Sequence, residues 1–484
     1  MEAKIPAFLV VVAYLVLMVG IGVYFTRRAG KSEADYYAAG KSIPSFWGGL
    51  AIASDYTSAG TMVAGLGVTV AFAGLGLNLW ASPLVVIGFM LAAFTIGPRL
   101  RGKGFTSVPD YFASFGDSLV LRTISAILIV FMMGVYVIVQ LKGIGLIGMY
   151  ILGIPYTLSV VLFGGVLILY VALGGMMSSI WTGVVQMFLM IFTVLLLAIM
   201  GLISAGGLTN LVAGVAQKSP WFFTMEGKIG LSYPFTYGVI MMFIMLAMPH
   251  MIMRIYSTRS GIGARRTLVW GGFWTGVWTI PWLIVLASVV YFVMPTKQPD
   301  MGFILLTGKL LPYSFIMGLA LCSLLAACMS TISAQLIAAS TSISYDLYAR
   351  VLKKGISNVS KERLAWWGRI SVVVVGIIVL LIALNPPDFV AKMLLLAGSC
   401  GGASFLAPFY FGLYWSKVNK YSIGASMVAG FATVILTNPM FKLLAVQPEP
   451  LGGIIGAAVS AIVLILVTLA TSGKTEGSQS KQRS

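Results

Sequence analysis

The chain has 484 residues, of which 59% are hydrophobic and 9% are charged, with a formal net charge of +18 and a mean hydropathy of +0.99. A soluble domain carries about 25% charged residues, so this composition excludes a water-soluble globular protein. The basic residues cluster between long apolar runs, which is typical of a helical integral membrane protein and not of a nucleic-acid-binding protein.

The apolar runs predict about thirteen membrane-spanning helices, since each needs about 20 apolar residues. No loop is long enough for a soluble catalytic domain, so we expect one transmembrane domain over residues 1–472 and a polar cytoplasmic tail over 473–484. The expected spans are residues 5–26, 43–73, 78–100, 121–152, 156–174, 177–204, 234–255, 265–294, 313–347, 363–385, 388–414, 420–440 and 451–471.

The charge distribution between the spans predicts the orientation of the chain. Basic clusters containing Arg27, Arg99, Arg254 and Arg350 follow the first, third, seventh and ninth spans, whereas the connection 74–77 carries no charge. The positive-inside rule therefore places the N-terminus outside and the C-terminus in the cytoplasm of the cell membrane.

The second span is interrupted by a polar cluster made of Ser54, Asp55, Tyr56, Thr57, Ser58, Gly60 and Thr61. A carboxylate at membrane depth is costly and must face protein, water or an ion. Small and hydroxylated residues weaken the helix and free its carbonyl groups, which is how transporters build a small-cation site. The alternative is that Asp55 is a structural carboxylate paired with a buried base.

Two more ionisable residues lie inside predicted spans. Lys142, in the fourth span, could bind the carboxylate of a solute or neutralise a carboxylate of the protein, and both interpretations stay open. His250 follows Pro249 in the seventh span, where a kink and a structural or gating role are expected in preference to catalysis.

The ninth span contributes the adjacent hydroxyls of Ser330 and Thr331 near its middle. This span runs opposite to the second, so its hydroxyls and Asp55 are expected at one depth. Oxygen ligands from both helices would suit an unhydrated monovalent cation. Alternatively, each hydroxyl bonds back to its own helix.

Four motifs resemble the sodium:solute symporter family. They are ASDYTSAGT (Ala53–Thr61), YVALGGMMSSIWTGVVQ (Tyr170–Gln186), MPHMIMR (Met248–Arg254) and AACMSTISAQL (Ala326–Leu336). The resemblance covers nearly the whole chain, including the number and orientation of the spans. It implies an all-α, LeuT-like fold of two inverted five-helix repeats over 43–204 and 234–414, with one extra helix before them and two after.

The resemblance also implies Na⁺ as the coupling ion. Its ligands would be the carbonyls of Ala53, Tyr56 and Ala327 and the hydroxyls of Ser330 and Thr331, with Asp55 supporting coupling. Sodium would bind first and order the broken helix, and alternating access would couple sodium to solute. Many members carry Asp after the Trp-Thr of the second motif, where this chain has Gly183, which puts a second ion path there in doubt.

The solute predicted from the resemblance is a small monocarboxylate such as acetate, propionate or pyruvate. The motifs look most similar to acetate and other monocarboxylate permeases, with pantothenate permeases next. Proline transporters of the family place aromatic residues where this chain has Met241 and Met245, which argues against proline. The expected solute-binding residues are Thr57, Thr61, Gln140, Lys142 and Met245.

The alternatives are a pantothenate or proline-type amino-acid symporter, or a proton-coupled carboxylate permease with Asp55 as the proton carrier. An intramembrane enzyme is disfavoured, because one histidine without a second buried acid beside it gives no catalytic pair. A sensor is disfavoured because no segment is large enough for an output domain. The expected partners are a small organic solute, sodium and the lipid bilayer, with no nucleic acid.

Overall fold

The computed structural model describes residues 5–29, 32–149, 153–311, 314–385, 390–441, 443–444, 447 and 450–479. Regular structure in these residues is helical, apart from one isolated bridge between Ile43 and Thr258. The helices are α1 (Ile5–Ala29), α2 (Glu33–Ala38), α3 (Ser45–Tyr56), α4 (Gly60–Ala73), α5 (Gly76–Phe94), α6 (Ile96–Gly102), α7 (Val108–Ala113), α8 (Leu119–Ile147), α9 (Tyr156–Ala205), α10 (Leu208–Lys218), α11 (Ser232–Ala247), α12 (Pro249–Tyr256), α13 (Gly261–Phe292), α14 (Gly302–Leu310), α15 (Ser314–Thr341, continued as a π-helix over Ser342–Leu352), α16 (Lys361–Ala383), α17 (Val390–Tyr414), α18 (Lys420–Thr437) and α19 (Leu451–Gln479).

Within the described part of the chain, 11 helices are long and apolar enough to cross a membrane, or up to 12 if the bent pair α3 and α4 is one span. This count is below the expected thirteen because residues 156–174 and 177–204 join in the 50-residue helix α9. At about 1.5 Å per residue, 50 residues of straight helix would be about 75 Å long, well beyond a hydrocarbon core of about 30 Å, so α9 cannot be one straight span. Gly175 interrupts it with non-helical backbone angles, φ 58° and ψ −148°.

The helices α3 and α4 are bent by 51° at their break, and α11 and α12 are separated at Met248, whose backbone is extended (φ −71°, ψ 132°). Pro249 explains the second break, because a proline disfavours helical geometry in the preceding residue and is well placed at the start of a helix. Both breaks therefore free backbone groups inside the helical bundle.

The remaining helices surround these two broken elements. Helices α13, α9 and α15 pack against α3, while α17 and α5 pack against α11. The first helix, α1, packs on α9 and α15, and α18 and α19 pair with each other beside α17. Helix α19 continues to Gln479, past the expected end of the last span at residue 471.

A substitution at Gly175 tests the bend in α9. Its φ is positive, and a Cβ atom there would lie 2.7 Å from the carbonyl oxygen of Tyr36. We expect Gly175→Ala to destabilise the protein by about 1–3 kcal/mol, because this backbone region is open almost only to glycine. The measurement is the melting temperature of the purified protein in detergent.

The matched control is Gly165→Ala in the same helix, where an added Cβ would meet nothing within 4 Å among the described residues. Equal melting temperatures of the two variants would contradict the expectation.

Candidate functional site

The break between α3 and α4 lies at residues 57–59. The last turn of α3 closes with the amide of Thr57 donating to the carbonyl of Ala53 (3.1 Å). The next helix begins with the amides of Thr61 and Met62 donating to the carbonyl of Ser58 (3.0 and 2.9 Å). The hydroxyl of Thr61 donates to the carbonyl of Tyr56 (3.1 Å), so side chains replace part of the missing helical hydrogen bonding.

Helix α15 contacts the end of α3 through its two adjacent hydroxyls. The hydroxyl of Ser330 donates to the carbonyl of Ser54 (2.8 Å), and that of Thr331 donates to the carbonyl of Asp55 (3.0 Å). Both hydroxyls also donate to the carbonyl of Ala327 on their own helix (3.2 and 3.1 Å). The two polar clusters therefore meet, and each hydroxyl also bonds back to its own helix, while the ion site itself stays a prediction.

The oxygen atoms at this junction fit a hard monovalent cation. They are carbonyl and hydroxyl oxygens, the ligand type that such cations prefer. The α3 carbonyls that face α15 belong to Ser54 and Asp55, while the carbonyls of Ala53 and Tyr56 accept bonds from Thr57 and Thr61. No group of three or more His, Cys, Asp or Glu side chains that could hold a metal occurs in the described residues.

Asp55 is paired with a buried base, the structural alternative raised by the sequence. Arg254 of α12 holds it in a bidentate salt bridge, Nε to Oδ2 at 2.7 Å and Nη2 to Oδ1 at 2.9 Å. The same Nη2 donates to the hydroxyl of Ser179 on α9 (3.0 Å), which is hydrogen-bonded to Ser333 on α15 (2.8 Å). One guanidinium thus links four helices around the end of α3.

Counting Arg254 as a cytoplasmic loop charge was wrong, since the residue is only 3% exposed and lies within the bundle. The sequence carried a signal for it: a lone acid at membrane depth requires a cation, and Arg254 is the last residue of the MPHMIMR motif.

A narrow cleft lies beside the break. Helices α8, α11 and α17 complete its wall, which carries three tyrosines, two hydroxyl side chains and three apolar side chains. The lining residues are Tyr56, Ser58, Gly60, Thr61, Tyr136, Tyr237, Met241, Ile244 and Leu394.

Of the expected solute-binding residues, Thr61 lines this cleft and the other four do not. Gln140 accepts a hydrogen bond from the amide of Ala59 (2.9 Å) and so caps the start of α4. Thr57 is buried, and its hydroxyl has no hydrogen-bond partner among the described residues. Met245 packs on Gly88 of α5, and Met241, one turn earlier, lines the cleft.

Lys142 lies near enough to a protein carboxylate, that of Asp300, to interact with it electrostatically, which favours the second of the two roles left open by the sequence. The pKa of Asp300, in the connection between α13 and α14, is raised by partial burial. The ammonium of Lys142 offsets part of this rise. Asp300 also lies against Gly67 of α4. Lys142 is not among the residues that line the cleft.

His250 and Gly183 have packing roles. The imidazole of His250 is buried edge-on to Tyr136, with ring centroids 5.9 Å apart, and has no hydrogen-bond partner in the described structure. Gly183 faces the end of α3, where a Cβ atom would lie 2.8 Å from the hydroxyl oxygen of Ser54. Close helix contact therefore accounts for this glycine.

A family model described as the sodium:solute symporter family matches residues 36–430. A high-affinity proline transporter PutP of Bacillus subtilis (strain 168) is 29% identical over 433 residues, covering 85% of this chain and 88% of the relative. A sodium/proline symporter of Staphylococcus aureus (strain JH9) is 27% identical over 487 residues, covering 97% of this chain and 94% of the relative. The expected similarity to acetate permeases is therefore corrected toward proline symporters.

The fold resembles that of known transporters. A substrate-bound, outward-open Na⁺-coupled sialic acid symporter matches with a TM-score of 0.82 at 21% identity, covering 96% of this chain and 97% of that one. MhsT in complex with L-phenylalanine matches with a TM-score of 0.55 at 16% identity, covering 89% and 99%. The chain thus has the all-helical, LeuT-like architecture.

The salt bridge between Asp55 and Arg254 yields a stability prediction. Arg254→Gln is expected to cost about 3–5 kcal/mol, because it leaves Asp55 buried without its counter-charge. The double variant Asp55→Asn with Arg254→Gln should recover part of this loss, since no charge is then buried. The measurement is the melting temperature in detergent without sodium.

The control is Arg363→Gln at the exposed start of α16, which removes the same charge from the protein surface. A double variant that melts below Arg254→Gln would contradict the charge argument.

Proposed function

The chain belongs to the sodium:solute symporter family, and we propose that it uses the sodium gradient to take up a small amino acid of the proline type. The observation that carries the proposal is the tyrosine-lined cleft beside the break in α3 and α4, one turn from the carbonyls that face Ser330 and Thr331.

Sodium in this proposal binds between α3 and α15 as a transported ion. The hydroxyls of Ser330 and Thr331 would turn from the α3 carbonyls to the ion, with Ala53, Tyr56 and Ala327 supplying carbonyl oxygens. Asp55 supports the ion indirectly, because Arg254 holds both of its carboxylate oxygens. Its role is to fix the end of α3 at the ion site.

The lining of the cleft favours a zwitterionic solute. The faces of Tyr56, Tyr136 and Tyr237 would attract an amine cation, since a ring face carries partial negative charge. The carboxylate would lie toward the beginning of α4, where the helix dipole is positive and the hydroxyl of Ser58 can donate. The names of the two curated relatives, both proline transporters, support the same solute class.

A monocarboxylate is the second candidate. It would use the same carboxylate position, and the apolar side chains of Met241, Ile244 and Leu394 would cover its short hydrocarbon chain. It would leave the tyrosine faces without a cation, which is why the amino acid ranks first.

Coupling would follow from the shared break. Sodium bound at the end of α3 orders residues that also line the cleft, so each ligand binds better when the other is present. We propose two inverted repeats over 43–204 and 234–414, since each opens with a broken helix, and thirteen spans, with α9 counted as two. The proposed orientation has the N-terminus outside and the C-terminus in the cytoplasm.

Proteoliposome uptake tests the solute. An inward sodium gradient is expected to raise the initial rate of radiolabelled L-proline uptake at least tenfold over a potassium gradient, with little stimulation of acetate uptake. Sodium-driven acetate uptake with no proline uptake would reverse the ranking, and equal rates in both gradients would reject sodium coupling. Uptake driven by a pH gradient without sodium would indicate proton coupling.

Replacement of one hydroxyl tests the ion site. Thr331→Ala should raise the half-saturating sodium concentration at least tenfold, because the ion loses an oxygen ligand. Thr341→Ala is the matched control, since its hydroxyl donates only to the carbonyl of Ile337 on the same helix (2.6 Å). Similar sodium dependence in both variants would exclude Thr331 as a ligand.

A further inference from the structure

Helix α1 lies outside the two proposed five-helix repeats, yet it packs on α9 and α15. Its buried stripe consists of Ala7, Val11, Tyr14 and Met18, which are three or four positions apart and so lie on one face of the helix. Tyr14 carries the one hydroxyl of this stripe. A buried hydroxyl in a membrane helix is expected to bond to a neighbouring helix, so its partners indicate what α1 supports.

The hydroxyl of Tyr14 connects α9 with α15. It accepts a hydrogen bond from Nε2 of Gln186 on α9 (2.9 Å) and donates to Sδ of Met329 on α15 (3.8 Å). The same Nε2 also donates to Sδ of Met18, one turn along α1 (3.6 Å). Gln186 is therefore attached to α1 at two places, and Tyr14 passes this attachment on to α15.

Tyr170 contacts the same residue of α15 from the other half of α9. Its hydroxyl donates to the carbonyl of Met329 (3.4 Å). Tyr170 and Gln186 lie on either side of the bend at Gly175. Both halves of α9 therefore support Met329, Tyr170 directly and Gln186 through Tyr14.

Met329 immediately precedes the proposed sodium ligands. Successive residues of an α-helix point about 100° apart, so Met329 contacts α1 while Ser330 and Thr331 donate to the carbonyls of α3. In the proposed ion-bound state, the two hydroxyls turn from these carbonyls to sodium. The contacts of Met329 with α1 and α9 do not involve the hydroxyls, and they remain to hold this turn of α15 in place.

The amide of Gln186 is not explained by packing. The residue is fully buried, and its Oε1 atom has no hydrogen-bond partner among the described residues. An unpartnered buried acceptor destabilises a protein, and a leucine of similar size would avoid that penalty. The bonds from Nε2 to α1 therefore account for an amide at this position.

We propose that Tyr14 and Gln186 are positioning residues for the sodium site and act through Met329. The proposal rests on the sodium symport argued above. Tyr14 fixes the turn of α15 that carries Ser330 and Thr331, and Gln186 fixes the hydroxyl of Tyr14. Helix α1 thereby takes part in ion binding without touching the ion or the solute.

The sodium dependence of uptake tests this role. With radiolabelled L-proline in proteoliposomes, Tyr14→Phe should raise the half-saturating sodium concentration at least fivefold, because Met329 loses its bond to α1. The KM for proline at saturating sodium should change less than twofold. Tyr24→Phe is the matched control, since this tyrosine of the same helix is 78% exposed. Equal sodium dependence of the two variants overturns the proposal.

Thermal unfolding separates positioning from packing. Gln186→Leu should raise the half-saturating sodium concentration in the same direction as Tyr14→Phe. Its Tm in detergent without sodium should be no lower than that of the wild type, because the unpartnered Oε1 is removed. A lowered Tm with an unchanged half-saturating sodium concentration would assign Gln186 to packing and overturn the proposal.

The double variant Tyr14→Phe with Gln186→Leu tests whether the two residues act in series. Because they share one chain of contacts, its half-saturating sodium concentration should exceed that of the more affected single variant by less than twofold. Multiplication of the two single shifts would indicate independent roles and overturn the proposal.

The wild type distinguishes the two proposals. Wild-type uptake that is independent of sodium rejects the proposed symport. Sodium-dependent wild-type uptake with an unaffected Tyr14→Phe variant rejects the positioning role alone.

Discussion

The salt bridge between Asp55 and Arg254 is the interaction on which the centre of this protein depends. A carboxylate in the middle of a membrane bundle must be neutralised, and the bidentate pair does so at 2.7 and 2.9 Å with both side chains buried. The pair also joins the two broken elements, because Asp55 ends α3 and Arg254 lies on α12. Ser330 and Thr331 hold the carbonyls of the same turn. The end of α3 is thus fixed by charge on one side and by hydroxyls on the other.

The two breaks place irregular backbone beside the candidate site. Free carbonyl and amide groups are tolerated at membrane depth only where protein surrounds them, and here α5, α8, α15 and α17 do so. The cleft forms where the break in α3 and α4 meets the wall of α11. Tyr56 belongs to both regions: its carbonyl accepts from Thr61, and its side chain lines the cleft. One residue thus connects the proposed ion region with the proposed solute region.

The sequence could predict the broken second span and the polar pair of the ninth, because rare polar residues in apolar runs have few explanations. It could not assign Arg254, since a basic residue near the end of a span has the pattern of a loop charge. The sequence also predicted Lys142, Gln140 and Met245 as solute-binding residues, and none of the three lines the cleft. One turn of helix, or the direction of one side chain, decides whether such a residue faces a cleft, a cap or a neighbouring helix.

Composition and the positions of polar residues by themselves determined a helical membrane protein, its approximate spans and two polar clusters at matched depth, because the hydrocarbon core imposes one rule on every span. Only the tertiary structure decided what each polar group pairs with. Asp55 pairs with a residue 199 positions away, and Asp346 shares Arg122 with Asp110. Such pairings depend on helix packing and on how neighbouring helices are rotated, and hydropathy along the chain carries no information about either.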